Sequence, residues 1–188
     1  MRGLKQNWDH LYNQNHDFRQ ITSQALTTVL SHVNQNLEKT CLDLGCGTGQ
    51  LTRELFHRGY DCIGVDGAES AIHIARSLTT QTVHLTYLQG NLETLEPNDL
   101  PKQQFSLITC KLVFAFIKDK ERFLKLAHEF LSPDGTFVII TPVFGSKTSE
   151  IKPSICVDRD ETDRLLHEQF GHVTVMPLDN SECFIAYR

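Results

Sequence analysis

The chain has 188 residues, 40% of them hydrophobic and 22% charged, the length and composition of a single globular domain with a sizeable buried core. A formal net charge of −5 with no Lys/Arg-rich run argues against a surface that tracks nucleic-acid phosphates. No run approaches the ~18 apolar residues of a membrane span and no apolar signal core follows the first residues, so no membrane partner is expected and the cytoplasm is the expected location.

In chain order, Trp8 and Tyr12 come first, spaced i, i+4 on one face of a helical turn. Residues 20–37 carry Ile21, Ala25, Leu26, Val29, Leu30, Val33 and Leu37 at helical spacing, which predicts one amphipathic helix. From residue 40 the pattern alternates. Strand 40–44 leads to helix 49–58, strand 61–65 to helix 68–78, and strand 83–88 to a polar connection. Strand 104–110 precedes helix 119–131, which is expected to end before Ser132-Pro133-Asp134-Gly135, and strand 136–141 meets Pro142. Residues 143–158 form one long loop, of a length usually functional or mobile. A last helix over 160–170 is followed by runs 172–178 and 183–187 flanking the turn Asp179-Asn180-Ser181-Glu182, a hairpin that reverses the final strand. Such alternation predicts a mostly parallel sheet covered on both faces. Residues 1–39 read as a helical extension and 40–188 as the core of one domain.

Cysteines at 41, 46, 62, 110, 156 and 183 form no C-x-x-C pair and read as reduced thiols, four of them in or beside buried strands. The nine histidines show no ligand spacing, so no metal is expected.

The chemistry concentrates in Asp43-Leu44-Gly45-Cys46-Gly47-Thr48-Gly49. Glycines at alternate positions permit a sharp turn with no Cβ to hold a ligand away. A strand, a glycine loop and a helix N-terminus in that order make a nucleotide-type site, with free N–H groups expected to point out of the loop. The next strand delivers Asp66, a carboxylate able to accept two hydrogen bonds from a ribose diol. Against the dinucleotide fingerprint G-x-G-x-x-G, the third glycine comes one residue early, at Gly49, and Gln50 stands where Gly or Ala is wanted. Asp43 discriminates further, since a carboxylate beside a pyrophosphate is a like-charge contact, whereas beside an ammonium group it is favourable. A ligand with a ribose diol, an adenine and an amino-acid ammonium but no phosphate suits both carboxylates, and S-adenosylmethionine is such a ligand.

The run Asp43 to Gly49 carries the motif (D/E)-x-G-x-G-x-G intact, and here the chain resembles the class I S-adenosylmethionine-dependent methyltransferases over roughly residues 40–188. The resemblance implies a Rossmann-like three-layer α/β/α sandwich whose seven-stranded, mostly parallel sheet has the order 3-2-1-4-5-7-6 with strand 7 antiparallel. It implies S-adenosyl-L-methionine as cofactor, S-adenosyl-L-homocysteine as product, and Asp43, Gly45, Cys46, Gly47, Thr48 and Gly49 around the cofactor. Asp66 would take the ribose, Gly67 would lie along the adenine face, and Asn91 and Leu92 would contact the adenine. The family usually has Gly-Asp where this chain has Gly90-Asn91, and an asparagine amide oxygen can accept the same hydrogen bond without the charge. Cys110 would line the methionine arm, and Trp8 and Tyr12 would fold over the cofactor as a lid. Lys111 reads as a solvated strand-end lysine, and Phe105-Ser106 replaces the usual Phe-Asp, a commonly structural pair.

The strand-four tip, Thr109-Cys110-Lys111-Leu112-Val113-Phe114, lacks the Asn/Asp-Pro-Pro-Tyr/Phe of DNA and release-factor amino-methylating branches, and no Pro-Cys dipeptide occurs. The expected acceptor is therefore a small molecule. A protein methyltransferase, an NAD-dependent oxidoreductase and a non-catalytic S-adenosylmethionine-binding regulator stay open as alternatives. Methyl transfer needs alignment more than acid–base chemistry. No catalytic residue is assigned, although His10, His16 or Tyr12 could serve as a base from the N-terminal segment.

Overall fold

The computed structural model describes residues 2–14, 20–80, 82–145 and 153–188. The elements are α1 (Arg2–Asn13), α2 (Ser23–Leu30), β1 (Thr40–Leu44), α3 (Gln50–His57), β2 (Asp61–Asp66), α4 (Glu69–Ser77) and β3 (Leu85–Gln89). They continue with β4 (Phe105–Lys111), α5 (Lys120–Phe130), β5 (Leu131–Thr141), α6 (Arg159–Gln169), β6 (His172–Leu178) and β7 (Ser181–Tyr187). The seven strands form one sheet in the order β3-β2-β1-β4-β5-β7-β6. The β1–β2, β1–β4, β2–β3 and β4–β5 pairs are parallel, and β7 runs antiparallel to both β5 and β6. That is the order the resemblance implied.

Alternation along the central strands builds the two outer layers. Leu42, Leu44, Ile108 and Cys110 pack on one face with Phe123, Leu124, Leu165 and Leu166 of α5 and α6. Cys41, Cys62 and Leu107 pack on the other with Leu26 and Val29 of α2, Leu51 and Leu55 of α3, and Ile72 of α4. Every residue of β1 is buried. At its start Ser106 donates its hydroxyl to the Thr40 carbonyl (3.0 Å), accepts from the Thr40 N–H (3.2 Å), and donates its own N–H to Thr40 Oγ1 (3.0 Å). This serine thus ties β4 to β1.

Three elements depart from the sequence expectation. Helix α2 spans Ser23–Leu30, capped at its start by Thr22, whose hydroxyl accepts the Ala25 N–H. It stops where the Gln35 side chain donates to the Leu30 and Val33 carbonyls. Ile21 and Val33 are buried all the same, so the apolar spacing reported burial rather than helix length. Strand β3 begins at Leu85, because Thr82 Oγ1 accepts the His84 N–H and turns the chain, leaving Val83 89% exposed. Strand β5 begins earlier than residue 136. Leu131 already pairs with Phe105, and the expected Ser-Pro-Asp-Gly turn becomes an irregularity within the strand before Thr136 pairs with Leu107. Asp134 takes a φ of 61° there.

The long loop after β5 is stitched at its base. The Phe144 N–H donates to the Val157 carbonyl and the Val157 N–H to the Pro142 carbonyl, each at 3.0 Å. This places Ile155 near the C-terminal edge of the sheet.

Candidate active site

In open parallel sheets ligands bind beyond the C-terminal ends of the strands, where the strand order reverses. Here the reversal lies between β1 and β4, and a cavity of about 760 Å³ opens at that edge. Its walls include the glycine loop after β1, Asp66 and Gly67 after β2, the 89–93 segment after β3, and the 111–113 segment after β4. Trp8 and Tyr12 of α1 complete it from above.

Gly45, Gly47 and Gly49 have φ values of 80°, 53° and 79°. Each glycine also makes room for a side chain from a different element. A Cβ on Gly45 would overlap the Val113 side chain. One on Gly47 would lie 2.8 Å from the Tyr12 hydroxyl, and one on Gly49 would lie 2.5 Å from the Tyr87 hydroxyl. The loop is the place where the turn after β4, helix α1 and strand β3 converge.

The loop's N–H groups are mostly spent inside the protein, contrary to the expectation of an open cradle. Gly45 and Cys46 donate to the Val65 carbonyl at 2.7 and 3.0 Å, and Gly49 donates to the Cys46 carbonyl at 2.9 Å. Gly47 donates to Asp66 Oδ2 at 2.8 Å. A loop built this way offers little to a phosphate, which needs donors free to face it.

The two carboxylates are held firmly. Asp43 is 2% exposed; Thr52 of α3 donates its hydroxyl to Oδ2 at 2.7 Å and Thr109 of β4 donates to Oδ1 at 2.8 Å. Burial pushes its pKa above the ordinary 3.8, while the two threonine hydroxyls and the charge of Lys111 pull it back. Asp66 accepts from the N–H groups of Gly47 and Ala68, both at 2.8 Å. Burial raises its pKa too, opposed by those backbone donors, with Asp9 of α1 adding a smaller push upward. Asp9 ties α1 to α4, since its Oδ1 accepts both the N–H (3.0 Å) and the hydroxyl (2.9 Å) of Ser70 at the start of α4. Trp8 meets Phe116 edge-on with ring centroids 5.0 Å apart.

Of the residues expected around the cofactor, Asp43, Gly45, Cys46, Gly47, Thr48, Asp66, Gly67, Asn91, Leu92, Trp8 and Tyr12 all line the cavity. Gly49 and Cys110 do not. Gly49 caps α3 against Tyr87, and Cys110 is fully buried in the apolar layer under α5 and α6. Strand alternation turns Cys110 inward, and burial raises its thiol pKa well beyond the ordinary value. Asn91 spends its amide oxygen locally, accepting the Glu93 N–H at 3.1 Å. His10 is exposed and bonded to Gln14, away from the cavity wall, which removes it as a base candidate; His16 lies outside the described residues.

Several residues went unseen in the sequence. Thr52 and Thr109 fix Asp43 from positions 9 and 66 residues away, a pairing only the β1–β4 register reveals. Leu112, Val113, Phe116, Ile117, Pro142 and Ile155 contribute an apolar part of the cavity wall. The run Leu112-Val113-Phe114-Ala115-Phe116 directly after a strand was its available signal.

Residues 42–139 match a family model described as a methyltransferase domain. The chain belongs to the methyltransferase family. The ubiquinone biosynthesis O-methyltransferase of Acinetobacter baylyi is 27% identical over 129 residues, which cover 66% of this chain and 53% of that protein. The chain thus spans about half the length of the curated relatives it matches. Among solved structures, an S-adenosylmethionine-dependent methyltransferase from Mesorhizobium loti superimposes with a TM-score of 0.66 at 20% identity, over 87% of this chain and 98% of that one. A phosphoethanolamine N-methyltransferase from Haemonchus contortus, in complex with S-adenosyl-L-methionine, gives 0.72 at 15% identity, over 96% and 56%. At these identities the structures establish the shared fold.

S-adenosylmethionine is the cofactor of this methyltransferase family, and the cavity suits it. The volume lies within the range of small-molecule sites. The lining offers one buried and one half-buried carboxylate and a glycine loop with few N–H groups to spare, chemistry for a cationic, phosphate-free nucleoside. Asp66 stands at the strand end where a ribose diol is held in nucleotide-binding sheets, and Asp43 lies beside the loop.

Proposed function

We propose that this methyltransferase moves a methyl group from S-adenosylmethionine to an oxygen of a small molecule. The observation carrying this reading is the cavity's mixed lining, in which two carboxylates and the glycine loop share one cavity with the apolar side chains of Leu112, Val113, Phe116, Pro142 and Ile155. When bound, the cofactor supplies an electrophilic methyl on a sulfonium. The chain's own residues do the positioning: Asp66 and Asp43 fix the polar end, Gly45 and Gly47 let backbone approach, and the apolar wall excludes water from the acceptor. The name of the Acinetobacter baylyi relative supports oxygen as the acceptor atom. Helix α1 acts as a lid over this core, with Trp8 and Tyr12 on the cavity wall and Asp9 as the latch. A cytoplasmic location fits six cysteines that form no disulfide. Among the described residues no helix is long and apolar enough to cross a membrane, and no cluster of His, Cys, Asp or Glu could hold a metal ion.

The test is transfer of a labelled methyl group from S-adenosylmethionine to a cell extract split into low-mass and protein fractions. Label in the low-mass fraction is expected. Label confined to protein would refute the acceptor assignment, and no label in either would refute catalysis.

A further inference from the structure

The segment that leaves β3 reaches the cavity with no regular structure of its own. Residues 90–96 belong to no helix or strand, and β3 stands at the edge of the sheet. Gln89, Gly90 and Asn91 line the cavity described above and also a second hollow of about 340 Å³. A stretch of chain with space on two sides needs anchors if its hydrogen-bonding groups are to stay fixed.

The anchors lie at its two ends. Gly90 donates its N–H to the Asp66 carbonyl at 2.9 Å. At the other end a single guanidinium gathers the backbone. Arg122, in the first turn of α5, donates from Nη1 to the Glu93 carbonyl at 2.8 Å and from Nη2 to the Leu95 carbonyl at 3.2 Å. Nη2 also donates to Glu96 Oε1 at 2.9 Å. Glu93 adds a second tie, its Oε1 accepting the Lys118 N–H at 2.7 Å. The planar fork of an arginine suits several acceptors at once, which a lysine ammonium does not reproduce. Arg122 is half-buried and does not itself line the cavity.

Asn91 and Leu92 lie between these anchors, and both line the cavity. Among the described residues the Leu92 N–H meets no partner, and Asn91 Oδ1 accepts the Glu93 N–H alone, which leaves it a second lone pair. A donor next to an acceptor matches N1 and the amino group of adenine. Hypoxanthine, the deaminated base, reverses both, with a protonated N1 and a carbonyl oxygen. Groups left unpaired by the wrong base make a site of this kind selective.

We propose that Arg122 is a positioning residue for reading the cofactor's base: by fixing the Glu93 and Leu95 carbonyls it holds Asn91 and Leu92 where they accept adenine and reject hypoxanthine. This rests on the S-adenosylmethionine assignment above. Arg122 acts only through the segment it clamps. Its pairing with Glu96 is largely exposed and contributes little, so the two carbonyl bonds carry the effect.

The probes are S-adenosylhomocysteine and its deaminated analogue S-inosylhomocysteine, each titrated calorimetrically into the full chain. The native protein should prefer the adenine ligand by about 30-fold or more. Arg122→Met keeps the aliphatic stem and removes the fork; its preference should fall to within about threefold, through loss of affinity for S-adenosylhomocysteine. Glu96→Gln should keep the native preference. Should Arg122→Met fail to fold, Arg122→Gln is read in the same way. An Arg122 variant that keeps the native ratio overturns the proposal, including one that weakens both ligands equally, as a merely structural arginine would. A native protein that binds both ligands alike also overturns it, and leaves the cofactor assignment standing. Failure of the native chain to bind S-adenosylhomocysteine at all would instead bring down that assignment, and this inference with it.

Discussion

Gly47→Val should yield a folded protein that no longer binds S-adenosylhomocysteine. Two effects act at this position. A φ of 53° is strained for a β-branched residue, at a cost on the order of 1–3 kcal/mol, or roughly 2–12 °C of melting temperature in a chain of this size. The new Cβ would also lie 2.8 Å from the Tyr12 hydroxyl. The sequence alone suggested that such a Cβ would project at the cofactor; in the structure it projects at Tyr12, which lines the same cavity. Tyr12 must move, and α1 with it, so the site loses its roof as well as its close-approaching backbone. Gly59→Val is the control. Its φ is 86° and nothing lies within 4 Å of its added Cβ, so it should melt lower but keep the ligand-induced rise in melting temperature. An intact ligand-induced rise in Gly47→Val would show that the loop and its roof do not form the cofactor site.

Asp66→Ala should weaken cofactor binding about 10- to 100-fold by calorimetry, from the loss of charge-assisted hydrogen bonds worth about 1.5–3 kcal/mol. The structure adds a second route to the same loss. Asp66 is the acceptor for the Gly47 and Ala68 N–H groups, so its removal leaves two donors unpaired and loosens the middle of the glycine loop. Asp66→Asn retains one acceptor oxygen and presents an amide donor where a second acceptor is needed. It should fall between the native protein and Asp66→Ala. Native affinity in a folded Asp66→Ala protein would mean that the end of β2 does not touch the cofactor.

What was legible in the sequence was local or periodic. Asp43 to Gly49 lie within one strand-to-helix turn, so their spacing alone located the loop, and the same holds for Asp66 at the end of the next apolar run. Alternation of strands and helices yielded the parallel sheet, and the 172–187 pattern yielded the reversed β7. What was not legible depends on register or on conformations that oppose local preference. Whether Cys110 faces the cavity or the apolar layer is a one-residue question in a period-two element, answered only by the register. A left-handed leucine at 112 contradicts its own propensity, so its conformation left no local signature. The threonine partners of Asp43 come from α3 and β4, and the loop's spent N–H groups depend on the Val65 carbonyl of a neighbouring strand.

That last feature supports the central claim, that this edge of the sheet is built for a phosphate-free, cationic nucleoside. The most direct measurement is calorimetric titration of the native chain with S-adenosylhomocysteine and, separately, with NAD. A pyrophosphate entering this cavity would meet two carboxylates and few free N–H donors, an arrangement that costs several kcal/mol. The predicted result is one S-adenosylhomocysteine bound per chain, with NAD at least roughly 100-fold weaker, a gap of about 2.7 kcal/mol. NAD binding as tight as S-adenosylhomocysteine, or tighter, would contradict it.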